Sequence, residues 1–120
     1  MQVVKVNVAS IRPEYNNLHE WCCNAEKNEY IGRRGVVFID GARYPPHNSM
    51  WCNPYKISKT VSRDECIEQY RQYITNKIET DTRLKDALMQ LKGKTLGCWC
   101  APEKCHGDIL MELIEKMDEK

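Results

Sequence analysis

Apolar and polar residues alternate in the opening VVKVNV, which puts Val4, Val6 and Val8 on one face. That period of two predicts a strand with one buried side. The period then lengthens. Leu18, Trp21, Cys22 and Ala25 recur at helical spacing behind Pro13, a residue suited to a first helical position, so a helix is predicted over 13–27. EYIGR and VVFID read as two short β segments around Gly35. GARYPPHNSMWCNPY, residues 41–55, is rich in Gly, Pro and Asn and reads as a long loop. Loops of that length are often functional.

The second half is more regular. Ser62 and Glu65 form a capping-box signature ahead of Ile67, Tyr70, Ile74 and Ile78, which share one helical face. A further helix begins near Thr80 or Asp81, carries Leu84, Leu88 and Leu91, and stops at Gly93, a natural C′ residue. TLGCWC is the next strand. Ile109, Leu110, Leu113, Ile114 and Met117 then make the apolar stripe of a last helix.

The predicted order is β-α-β-β-loop-α-α-β-α. Such alternation indicates an α/β fold with a small, largely parallel sheet flanked by helices. Ligands of such sheets bind at the carboxyl ends of the strands, where CWC closes one strand and CH precedes a helix. The strand bearing Cys98 is expected inside the sheet, with a helix starting at 103–107.

At 120 residues the chain reads as a single domain, 1–120, large enough to fold without staples. Seven cysteines are an odd number, and MQVVKVNVAS lacks the apolar run of a signal peptide. Reduced thiols and an intracellular compartment, cytoplasmic or nuclear, are therefore expected. No apolar run reaches membrane-spanning length. With 18 basic and 17 acidic residues the formal charge is +1, which argues against a broad nucleic-acid-binding face. Nothing in the pattern specifies an oligomeric state.

Candidate chemistry gathers in LGCWCAPEKCHG, where three cysteines and one of the three histidines occupy residues 96–107. Together with EYIGRR, WCNPYKI and SRDECIEQYRQYI, this block resembles an uncharacterised family, domain of unknown function 4326. That family occurs in bacteria, phages, eukaryotes and large DNA viruses. The resemblance covers roughly residues 29–117, with the first 28 residues and VVFIDGARYPPHNSM as departures. It implies that Tyr30, Gly32, Arg33, Asn53, Pro54, Cys98, Trp99, Cys100, Cys105 and His106 belong to one constellation. It supplies no reaction.

Three chemistries suit the cysteines. Cys98 and Cys100, at i and i+2 of a strand, share a face, and a return through Pro102 brings Cys105 and His106 toward them. Three thiolates and an imidazole make a zinc set, and an iron–sulfur centre is a less favoured alternative. Cys52 could replace one ligand. Alternatively, Cys105 at a helix N-terminus beside His106 is a candidate catalytic nucleophile, with Cys98 or Cys100 as a resolving thiol. The third option is packing, since free cysteine behaves as a small hydrophobe. Trp99 must point to the opposite face. Cys22, Cys23 and Cys66 lack ligand spacing and read as packing residues.

Arg33 at a strand end could clamp an anion, while Arg34 reads as a surface residue. Asn53–Pro54 is a turn that could aim Asn53 into the same cleft. Tyr30, Tyr44, Trp51 and Tyr55 lie near Arg33, Arg34, Arg43 and Lys56, a mix that could stack and neutralise a nucleotide. His47 is not expected to be a ligand. Gly93–Lys94 ends a helix and is no P-loop.

The leading expectation is a Cys/His site that binds a metal, zinc above all, and supports ligand or partner binding. An enzyme alternative uses a reactive cysteine on a small anionic, nucleotide-like ligand held by Tyr30, Gly32, Arg33 and Asn53. A third, a viral or host-directed interaction module, presents the 36–52 loop and N-terminal helix.

Overall fold

The structure, a computed structural model, describes residues 1–100 and 103–118. The return through Pro102 lies outside the described residues. Three strands, β1 (Gln2–Lys5), β2 (Asn28–Tyr30) and β5 (Thr95–Cys98), form a parallel sheet in the order β1-β5-β2. The latest strand in the chain is thus the central one, as its run of buried residues Leu96, Gly97 and Cys98 requires. Helices α1 (Val8–Ile11) and α2 (Leu18–Cys23) connect β1 to β2. Helices α3 (Arg63–Thr80) and α4 (Thr82–Gln90) precede β5, and α5 (His106–Asp118) follows it. The fold is a mixed α/β domain with a small parallel sheet flanked by helices, as the periodicity predicts.

Each face of the sheet has its own core. Leu96 and Cys98 of β5 face Tyr70, Ile74, Leu88, Ile109 and Leu110 of α3, α4 and α5. The other face packs Val6, Ile11, Leu18, Trp21 and Tyr30, with Trp99 half-buried against them. Close approach on both sides depends on glycine. A Cβ at Gly97 would stand 2.5 Å from Trp21 and 2.6 Å from Val6, and one at Gly107 would stand 2.8 Å from both Ile31 and Val3.

Three boundaries differ from the sequence reading. The first strand ends at Lys5, because Asn7 caps α1 by accepting the Ser10 amide at 3.2 Å. Val8 is therefore helical and 39% exposed, whereas Val6 is buried. The helix expected over 13–27 is shortened to α2. Pro13 lies in the turn after α1, and Asn17 starts α2 by accepting the Glu20 amide at 2.9 Å. The expected 41–55 loop contains a strand, β4 (Ala42–Tyr44), paired antiparallel with β3 (Val37–Ile39). Asp40 and Gly41, with φ of 51° and 80°, form the two-residue turn between them, as Asp-Gly does in hairpins.

The later helices follow their signals. Ser62 caps α3 through the Glu65 amide at 3.2 Å, Asp81 caps α4 through the Arg83 and Leu84 amides, and Gly93 turns with a φ of 85° into β5. No helix among the described residues is long and apolar enough to cross a membrane. No disulfide joins any of the seven cysteines, all of which are among the described residues.

Candidate functional site

The chain leaves β5 at Cys98, so Cys100 lies just past the strand instead of within it. The expected division of side chains nevertheless holds. Trp99 crosses to the α2 face, while Cys98 and Cys100 pack toward α3 and α5. Helix α5 then begins at His106, inside the predicted window.

Cys105 stands at the entry of α5 and is held there by reciprocal bonds. Its Sγ accepts the Gly107 amide at 3.3 Å, and Asp108 Oδ2 accepts the Cys105 amide at 3.1 Å. This is a capping box with sulfur in the place of a hydroxyl. It sets Cys105 Sγ 3.1 Å from Cys98 Sγ, both residues being 2% exposed.

His106 is also buried. Its Nε2 lies 2.7 Å from the Ile31 carbonyl oxygen, which can only accept, so Nε2 carries the proton. Its Nδ1 then presents a lone pair toward Cys105 Sγ, 3.6 Å away. Burial pushes the imidazole pKa down, so the ring is neutral at ordinary pH. Tyr70 packs on it edge-to-face at 5.0 Å.

Arg63 completes the thiol cluster from the first turn of α3. It hydrogen-bonds Cys100, donates to the Lys104 carbonyl at 3.1 Å and pairs with Glu103 at 2.7 Å. Half-buried Cys100 is held well below the usual thiol range by hydrogen bonds from Cys105 and Cys98, with a lesser contribution from the Arg63 guanidinium. The same bond to Cys100 pushes Cys105 up, Cys98 and burial adding to the effect. The two shifts run in opposite directions, so Cys100 ionises more readily than Cys105.

The four residues expected to bind ligand have distinct positions. Arg33 lines the cleft above the cysteines, yet its Nη2 donates to the Asn53 and Tyr55 carbonyls at 3.1 and 3.2 Å. It ties the 53–55 segment to the end of β2. Asn53 also lines the cleft, with Oδ1 accepting the Tyr55 amide at 2.9 Å and Nδ2 donating to Cys66 Sγ at 3.6 Å. Gly32 lines it too, and a Cβ there would meet Tyr30 Oη at 2.5 Å. Tyr30 stands behind the lining. Its hydroxyl donates to the Arg33 carbonyl at 2.7 Å and accepts from Trp99 Nε1 at 3.1 Å, and burial raises its pKa to about 12.

Gly32, Arg33, Asn53, Cys98, Cys100, Cys105 and His106 thus converge on one open cleft of about 460 Å³ at the carboxyl ends of β2 and β5. Lys56, Arg63 and Lys104 also line it, whereas no aspartate or glutamate does among the described residues. Tyr55, Ile57, Ile67 and Trp99 add apolar and aromatic wall. Of these additions, sequence reasoning anticipated Lys56 and Tyr55 as part of a ligand-binding mix, and the resemblance implied Trp99 as part of the constellation. The expected stacking group is otherwise dispersed. Trp51 is 1% exposed in the core, where its carbonyl accepts the Tyr70 hydroxyl at 2.7 Å. Tyr44 packs edge-on against His19 instead. Cys52 does not reach the lining, Arg34 and His47 are exposed, and Cys66 borders the cleft as a buried residue of α3. A larger hollow of about 700 Å³ lies along β1 and α1, but neither cysteine nor histidine lines it.

Among the described residues no three Cys, His, Asp or Glu side chains are arranged to hold a metal ion.

Comparisons with known proteins place these residues in context. An uncharacterised 12.4 kDa protein in the nrdA-td intergenic region of Enterobacteria phage T4 is 30% identical over 71 residues, 59% of this chain and 66% of the phage protein. The chain thus spans slightly less than two-thirds of that relative. Uncharacterised protein R718 of Acanthamoeba polyphaga mimivirus is 34% identical over 100 residues, covering 74% of this chain and 70% of the viral protein. No solved structure matches. The family model of DUF4326, a domain of unknown function, matches residues 16–116, so it takes in α2 as well as the motifs from β2 onward. With the match running from the start of α2 into the last turn of α5, the chain belongs to the DUF4326 family.

Proposed function

We propose that this domain binds a small anionic ligand with a planar or apolar part, of the nucleotide class, in the cleft above Cys100. One observation carries the reading. The cleft lining presents Arg33, Lys56, Arg63 and Lys104 with no carboxylate among the described residues, over a floor of thiols and a neutral imidazole. Ion pairs partly engage Arg63 and Lys104, through Glu103 and Asp64, and the structure gives none to Arg33 or Lys56. A phosphate would add negative charge beside these cations, and Tyr55 offers aromatic surface for a planar group. In this reading Arg63 and Lys56 hold the anion, and Arg33 and Asn53 shape the wall beside it. Cys100, half-buried, is the thiol presented to the ligand. The preference for zinc has weaker support, because no three Cys, His, Asp or Glu side chains among the described residues are grouped to hold a metal ion.

The test is thermal unfolding of the reduced chain with inorganic phosphate and with a nucleoside 5′-monophosphate. Saturable stabilisation is expected from both, greater from the nucleotide, reaching about 2.7 kcal/mol at a hundredfold excess over Kd. Lys56→Ala with Arg63→Ala should remove most of it. No saturable shift, or an equal shift in the double variant, overturns the reading. Metal analysis of the same sample showing stoichiometric zinc would replace it with the metal site.

A further inference from the structure

We infer that Cys98, Cys100 and Cys105 form a redox site, in which a hydroperoxide entering the cleft oxidises Cys100 and Cys105 closes on it to give a reversible disulfide. The inference concerns the cleft already described but needs no anionic ligand, so it stands or falls separately.

Three observations support it. The first is access. Cys100 is only half-buried, and all three cysteines line an open cleft, so a molecule the size of a peroxide meets Cys100 before the two buried thiols. The second is contact. Cys98 and Cys105 bring their Sγ atoms to 3.1 Å, and Cys100, two residues beyond Cys98, lines the same cleft with them. A sulfenic acid formed at Cys100 would thus have a resolving thiol in the same cleft, the arrangement that favours disulfide over further oxidation. The third is support for the resolving thiol. Cys105 Sγ faces the Gly107 amide at 3.3 Å and the His106 Nδ1 lone pair at 3.6 Å.

The chemistry balances in two steps. The Cys100 thiolate attacks one peroxide oxygen, the O–O bond breaks, and the departing hydroxide or alkoxide takes a proton from water. Cys100 is oxidised to the sulfenic acid and the peroxide is reduced. The Cys105 sulfur then attacks the sulfenic sulfur, an S–S bond forms, the S–O bond breaks, and the thiol proton leaves with the hydroxide as water. Exchange with a small dithiol such as dithiothreitol restores both thiols.

Cys23 supplies an internal standard, since it is exposed on α2 and, like Cys105, has a histidine nitrogen 3.6 Å from its Sγ, that of His19, but does not line the cleft. The experiment treats the full, reduced chain with hydrogen peroxide, quenches by alkylation and maps tryptic peptides. Cleavage after Lys104 separates Cys105 from Cys98 and Cys100, so a new disulfide joins two peptides that are otherwise distinct. Cys100 should be lost faster than Cys23, on the order of tenfold near neutral pH, and the product should be a cross-link that dithiothreitol reverses. In Cys105→Ser, a Cys100 sulfenic acid should persist and react with dimedone. Oxidation of Cys100 no faster than of Cys23, or wild-type oxidation that leaves Cys105 as a free thiol, overturns the inference. The wild-type map alone decides the matter if Cys105→Ser does not fold. Phosphate-dependent stabilisation of the reduced chain is measured without oxidant, so either result can fail alone.

Discussion

Gly97→Ala tests whether the sheet is built as described, because it adds a single methyl where two core elements meet. Gly97 sits in the middle strand, paired with Val4 on one side and Tyr30 on the other, so β5 cannot shift sideways to make room. The new Cβ would lie 2.5 and 2.8 Å from two atoms of the Trp21 ring and 2.6 Å from Val6. Ordinary contact begins near 3.4 Å, so these atoms must retreat by about 0.6 to 0.9 Å. Neither has an easy path. Trp21 is 3% exposed and its carbonyl accepts the Asn28 amide group at 3.0 Å, while Val6 is buried beside it. Overpacking of this kind costs about 1–3 kcal/mol, against which the stiffer unfolded chain of alanine returns roughly 0.4–1 kcal/mol. A net loss of about 1–2 kcal/mol is expected, read as a lower urea midpoint at unchanged slope. Trp21→Leu in the same background should recover part of the loss, since the two positions touch and their effects do not add. The cleft lies on the opposite face of β5, so the alkylation rate of Cys100 should stay at the wild-type value. A loss below about 0.5 kcal/mol, or strict additivity with Trp21→Leu, would show that Trp21 is not seated on the central strand.

Two further outcomes follow from buried polar groups. Tyr70→Phe leaves the Trp51 carbonyl without its 2.7 Å donor in the core and should cost about 1–3 kcal/mol in urea unfolding; an unchanged midpoint would count against that bond. Burial lowers the folded-state pKa of His106 from its ordinary 6.5, so as pH falls the unfolded chain takes up this proton first. The stability contributed by neutral His106 is present above about pH 6.5 and is lost as pH falls toward the folded-state value. Glu112, whose pKa Arg71 lowers from 4.5, adds a separate loss at more acid pH. His106→Asn should flatten the first slope and spare the second, and a wild-type stability flat from neutrality down to the carboxylate range would refute the assignment.

What could be read from the chain and what could not divide along physical lines. The long elements were legible because one stripe decided each of them. Tyr70, Ile74 and Ile78 of α3 are buried at the predicted spacing, and so are Ile109, Leu110 and Ile114 of α5. The N-terminal third failed because short-range polar signals overrode period there. Asn7 and Asn17 each cap a short helix, which shortens the first strand and delays the start of the expected helix to Leu18. The β3–β4 hairpin carried a readable signal in Asp40-Gly41, between VVFI and ARY, that the Gly- and Pro-rich composition of 41–55 obscured. Trp51 shows the same limit from the other side. An aromatic in such a segment looks available for stacking, yet only the fold reveals that α3 buries it.

The site shows a sharper contrast between residue identity and residue role. Strand and helix period brought Cys98, Cys100, Cys105 and His106 together on paper, and the structure gathers them with Arg33 and Asn53 around one cleft. Their roles depend on partners far away in sequence. Arg33 looked like the anion clamp, but the carbonyls of Asn53 and Tyr55 occupy its Nη2. Arg63 carried no signal in the sequence, yet the position that begins α3 behind the Ser62 cap also brings its guanidinium to the entry of α5. Sequence period places side chains on faces. How the thiols are seated is fixed by the meeting of two helix starts, and that meeting is a property of the packed sheet.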